Sequence, residues 1–247
     1  MPGRARVGCS GWNYPDWRGV VYPAELARRT WFAWYADHFE TVELNTTFYR
    51  LPTVRTVQQW ASAAPAGFCY SMKLGQFGSH RKKLADPDGW LPNHVECLDA
   101  LGPAAGPTLV QLPPHWKRNV GRLDEFLDAA PERYRWAVEL RDPTWLDDEV
   151  YATLARRGAA LCLHDLLANH PWVQTTDWTY LRFHGPQAQV HPYCGAYTGR
   201  RLWRVAERLE PVLAGGGDVY AYFNNDQQGC AARDASWLAD RLGRLRS

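Results

Sequence analysis

The chain is poor in several things that would define a function class. No apolar run approaches the length of a membrane span, and the opening MPGRARVGCSGW has no apolar core of a signal peptide. These absences argue against a membrane protein and lead us to expect a cytoplasmic one. Six cysteines are scattered with no CxxC pair, which argues against structural zinc and for reduced thiols. The formal net charge is only +2, so no broad basic field would draw nucleic acid or an anionic membrane; an anion site has to be local. No glycine-rich phosphate turn follows the first strand-like run, which weighs against a doubly wound dinucleotide fold. Linkers and low-complexity segments are missing too, so residues 1–247 read as one domain.

What is present is β-type runs and helical patterns in alternation. Eight short runs begin at Val7, Thr41, Phe68, Thr108, Trp136, Ala159, Thr179 and Val219. Helical periodicity follows most of them; the stretch after the sixth, LLANHPWVQTTDW, is irregular. Eight β–α units in series predict an α/β fold, a single TIM-type (β/α)8 barrel with eight parallel strands and helices outside.

Alternation along barrel strands sends every second side chain inward. It predicts Glu43, Lys73, Gln111, Glu139, Arg141, Arg182 and His184 on the lumen side, with Asn45 and Asn224 at the mouth. The sixth strand leaves His164 and Asp165 as alternatives. The last strand, VYAYFNND, ends in Asn224, Asn225 and Asp226, residues that disfavour strands and favour turns. Strand carboxyl ends form the active-site face of barrel enzymes, so this polar cluster reads as part of a site.

Several segments together resemble the YecE-like family, also known as domain of unknown function 72: GCSGWNYPDWRG, FETVELNTTFYRLP, FCYSMKL, SHRKKL, LVQLPPHW, WAVELRDPTW, YLRFHG and YAYFNND. They run in the family's order over nearly the whole chain. The resemblance implies a TIM barrel and no particular reaction. Ser79 stands where the family usually has threonine, and Asp142 where a histidine is common.

Cations and amides at one mouth point to an enzyme with hydrolase-type acid–base chemistry on an anionic substrate, a phosphate ester or a nucleic acid. Glu43, Asp165 and His184 are the candidate catalytic residues. Trp12, Tyr14, Asn45, Lys73, His80, Gln111, Glu139, Arg141, Arg182, Asn224, Asn225 and Asp226 are the candidate binding residues. Trp12, Tyr14, Trp17, Tyr49 and Trp145 are candidate stacking rings. For Glu43, Glu139 and Arg182 the competing reading is charge balance inside a packed barrel. A glycoside hydrolase using Glu43 and Glu139, or a barrel that binds nucleotide, RNA or protein without catalysis, are the alternatives. No cofactor is expected; a transient divalent ion is left open, though three nearby cations would repel a permanent one. No obligate protein partner and no membrane contact are expected. QLPPHW is expected to hold a rigid or cis proline turn.

Overall fold

The structure is a computed structural model that describes residues 2–244. Eight parallel strands close into a barrel in sequence order: β1 (Ala5–Cys9), β2 (Thr41–Leu44), β3 (Cys69–Lys73), β4 (Ala105–Gln111), β5 (Trp136–Glu139), β6 (Ala160–His164), β7 (Thr179–Phe183) and β8 (Val219–Phe223). The helices are α1 (Trp31–His38), α2 (Thr46–Tyr49), α3 (Val54–Ala63), α4 (Leu91–Leu101), α5 (Val120–Ala129), α6 (Asp148–Arg156), α7 (Gly199–Ala214) and α8 (Cys230–Arg244). The end of the helical pattern at Leu245 lies outside the described residues. The connection after β6 has no helix, as its composition predicts. No helix among the described residues is long and apolar enough to cross a membrane, and the six cysteines form no disulfide among these residues.

The chain packs as two compact units. One holds the residues up to Glu43, 164–168 and those from 177 on; the other holds 44–163 and 169–176. In the first, β8 runs in register with both β1 and β7, placing Gly8 beside Tyr222 and Arg182 beside Tyr222. Tyr180 and Tyr222 pack ring to ring, and Thr41 Oγ1 lies 2.7 Å from Tyr222 Oη. Phe183 and Phe223, at the other parity of the pleat, stack at 4.3 Å. Gly8 is required here: a Cβ would stand 2.2 Å from the Thr41 carbonyl oxygen, where the Tyr35 hydroxyl links Thr41 O and Cys9 N.

In the second unit, β4 pairs with β3 and β5, setting Lys73 beside Leu109 and Gln111 beside Glu139. Its strands are buried on both faces and read as mostly apolar runs, with polar residues on the lumen side and Thr108 facing His94 of α4. Helix starts are fixed by side chains: Thr53, Asn119 and Asp147 accept from backbone N–H groups of α3, α5 and α6, as Thr198 does for α7 in the first unit.

At QLPPHW the cis alternative is excluded. All peptide bonds are trans among the described residues, and His115, at φ 62°, makes the turn in the left-handed region.

Candidate functional site

Within the first unit, Glu43, Asp165 and His184 belong to one connected array. Glu43 is fully buried on β2. It accepts from Arg182 Nε at 3.0 Å and Nη2 at 2.8 Å, from Tyr180 Oη at 2.7 Å, and from Ser10 Oγ at 2.6 Å. These donors occupy both carboxylate oxygens, so the pair is a satisfied buried ion pair. The other face of Arg182 meets His184: Nη1 lies 3.1 Å from Nε2. A guanidinium only donates, so Nε2 accepts and the neutral ring carries its proton on Nδ1. Nδ1 lies 3.3 Å from Asp165 Oδ1.

Asp165 also accepts from the His184 backbone N–H at 2.9 Å and from Tyr197 Oη. Burial pushes its carboxyl pKa up, but hydrogen bonds from His184 and Tyr197 outweigh that and leave it below the usual range. It stands one residue beyond β6, beside a cavity of about 450 Å³ lined by Pro186–His191 and Arg201. Within β6 it is His164 that shares parity with Cys162, whose Sγ lies 3.9 Å from Glu139 Oε2.

The end of β8 overturns one expectation. Asn225 is fully buried, and its amide donates to Gly195 O and to Asp234 Oδ2, each at 2.8 Å. Both N–H bonds are spent inside the protein, so Asn225 is no anion donor here. Its carboxylate partner is Asp234. Burial, then Asp16, raises the Asp226 pKa, and the Asp226 carbonyl accepts from Trp17 Nε1. Asn224 is half-buried. Trp12 packs on Phe32 at 5.2 Å, and the Tyr14 hydroxyl donates to Ser10 O. Trp17 and Trp145 are fully buried core residues, Trp145 donating to Trp116 O.

The second unit holds a different cluster at the ends of β3, β4 and β5. Lys73 closes β3 with its Nζ 4.3 Å from the Phe48 ring centroid. Asn45, half-buried, precedes α2. Arg141, just past β5, pairs with the buried Glu139. Gln111 Oε1 at the end of β4 is buried without a protein partner. His80 lies in a π-helical turn, Phe77–Arg81, and meets Phe48 edge-on at 4.9 Å. Such turns recur at functional sites.

His80 is half-buried, and its pKa is lowered to about 4, first by desolvation and then by the charges of Lys73 and Arg141. Ser79 Oγ donates to Gly75 O at 3.0 Å, so it accepts from His80 Nδ1, also at 3.0 Å. The neutral ring therefore presents an Nε2 lone pair. The loop is held tightly: a Cβ on Gly78 would stand 2.4 Å from the Trp90 ring. Lys83, Leu84 and Asp86 take positive φ, and Leu84 is fully buried. Left-handed backbone at a buried leucine is strain of the kind kept at functional loops. Asp142 is accounted for structurally: it caps the turn Pro143–Trp145, bonding Thr144, and pairs with Lys117 at 3.2 Å.

Sequence reasoning found these residues but not the placing of His80 near two cations, which depends on the ends of β3 and β5.

A closed parallel barrel with polar strand ends defines the class. Within it, a family model described as protein of unknown function DUF72 matches residues 6–247, and the chain belongs to that family. The UPF0759 protein YecE of Escherichia coli K12 is 30% identical over 140 residues, 56% of this chain, a match spanning about half (48%) of that relative's length. The UPF0759 protein YunF of Bacillus subtilis is 24% identical, covering 96% of this chain and 94% of its own length. A crystal structure of a DUF72 family protein from Thermotoga maritima superposes with a TM-score of 0.87 at 28% identity, over 97% of this chain and 99% of that one. An Enterococcus faecalis DUF72 structure, 19% identical with a TM-score of 0.78 over 97% of this chain and 95% of that one, shares the fold.

Proposed function

We propose that the chain is a hydrolase-type enzyme acting on an anionic substrate, a phosphate ester held by Lys73 and Arg141, with His80 handling the proton. The observation that carries this reading is the geometry at His80: Ser79 holds Nδ1–H and leaves the Nε2 lone pair available, and the ring packs on the same Phe48 as the Lys73 ammonium; burial, then the charges of Lys73 and Arg141, lowers its pKa. Two cations near a half-buried imidazole favour an oxyanion. In such a site a water would give its proton to Nε2 as its oxygen bonds phosphorus. The ester P–O bond would break, and His80 would return the proton to the leaving oxygen. Lys73 and Arg141 would stabilise charge developing on the phosphoryl oxygens. The low net charge favours a small ester over a long nucleic acid, whose binding draws on many phosphate contacts.

Nothing favours the glycosidase reading. The oxygens of Glu43 are filled by Arg182, Tyr180 and Ser10.

The test is turnover of p-nitrophenyl phosphate and bis(p-nitrophenyl) phosphate beside p-nitrophenyl glycosides. Phosphate-ester hydrolysis that inorganic phosphate inhibits and His80→Gln removes is the expected result. Glycoside turnover without phosphate-ester turnover would overturn the proposal; binding of phosphate without turnover of any ester would leave a non-catalytic binding barrel.

A further inference from the structure

The cations of the second unit share their surroundings with rings that anion chemistry does not require. Phe48 stands between Lys73 and His80, 4.3 Å from the ammonium and 4.9 Å from the imidazole. Tyr49 meets Phe48 at 5.2 Å, yet is 74% exposed. These two short steps keep the Tyr49 ring within one small ligand's length of the Lys73 ammonium. Phe77 opens the turn that carries His80 and is 50% exposed. One exposed aromatic is ordinary on a protein surface. Tyr49 differs, because its ring lies within reach of a cationic strand-end cluster and provides surface where a charged group would bind. Gln111 Oε1 adds a buried acceptor next to Glu139 in register. Bare sulfate has no donor to satisfy it; a ligand bearing a hydroxyl or amino group does.

Building on the anion reading above, we infer that the ligand is a phosphate ester of a planar aromatic group, of the nucleotide or aryl phosphate class, with its phosphate on Lys73 and Arg141 and its ring against Tyr49. The ring contributes affinity by stacking, which tolerates any flat aromatic system.

The experiment is calorimetric titration of the full chain with adenosine monophosphate, phenyl phosphate, glycerol phosphate and inorganic phosphate, repeated on Tyr49→Ala and Tyr49→Phe. Tyr49 is on the surface, so neither substitution should disturb folding. Ring-bearing phosphates should bind at least about ten-fold tighter than glycerol phosphate. Tyr49→Ala should remove that preference while leaving inorganic phosphate binding unchanged, and Tyr49→Phe should keep it. Preference for only one of the two ring ligands supports the inference and identifies which class the site takes. Equal binding of ring-bearing and ring-free esters, or a preference that survives Tyr49→Ala intact, overturns it while leaving the anion site standing. Failure of every phosphate to bind, inorganic phosphate included, overturns both.

Discussion

Acidification should reveal His80 once the loss from the other buried histidines is subtracted. In the unfolded chain its imidazole takes up a proton as pH falls through about 6.5; in the fold it resists until about 4. Protons therefore favour the unfolded state across that window, and this contribution to stability is present above it and lost as pH falls. Between pH 7 and pH 5 linkage gives a loss of up to about 2 kcal/mol for such a group. The ring is only half-buried, and solvent screening reduces this to about 1 kcal/mol. His94, fully buried against Thr108 and also lowered to about 4 by desolvation, adds a loss of its own, so the comparison has to be a difference. Denaturant unfolding at both pH values should show wild type losing about 1 kcal/mol more than His80→Gln. Sulfate, dianionic throughout this window, should bind more tightly at the lower pH, because an anion beside Lys73 and Arg141 raises the His80 pKa and couples binding to proton uptake. Equal losses in the two proteins, or sulfate affinity independent of pH in wild type, would refute the claim that burial, helped by the two cations, holds His80 neutral.

Other outcomes follow from the same geometry. Glu43→Ala should cost about 3–5 kcal/mol in denaturant unfolding, because it leaves the buried Arg182 guanidinium without its carboxylate; a cost under about 1 kcal/mol would contradict a satisfied buried pair. Asn225→Ala should cost about 1–3 kcal/mol by leaving Asp234 with only the Tyr197 N–H, and should leave sulfate affinity unchanged. Thiol titration of freshly denatured protein without reductant should count six groups; four or fewer would point to oxidative pairing. Buried in the barrel wall, with its pKa raised by desolvation, Cys9 should resist alkylation in the folded protein.

Strand identity and facing were legible because β-strands have a fixed period of two. Glu43 and Arg182 share the lumen because each falls at the inward parity of its own run, and their ion pair follows from the cost of burying a charge alone. Asn225 was misread because an amide at a strand end looks the same whether it faces a ligand or a helix. Its partner Asp234, on α8, carries no local signal of that role. Asp142 looked like a departure from a family pattern, and its capping of Pro143–Trp145 is visible only in the turn geometry. His80 lay in a loop whose composition shows flexibility, not strain. Positive φ at Lys83, Leu84 and Asp86 depends on packing that no propensity encodes. Which aromatics are core was equally hidden: Trp17 and Trp145 are buried, while Tyr49 is exposed.

The central claim, an anion site built on Lys73, His80 and Arg141, is tested most directly by thermal unfolding in increasing sulfate at constant ionic strength. A ligand that binds only the native state stabilises it by about 2.7 kcal/mol at one hundred times its Kd. The melting temperature of wild type should rise with sulfate concentration, and Lys73→Gln and Arg141→Gln should each lose most of that rise. A melting temperature that ignores sulfate, or two variants that respond as wild type does, would contradict the account.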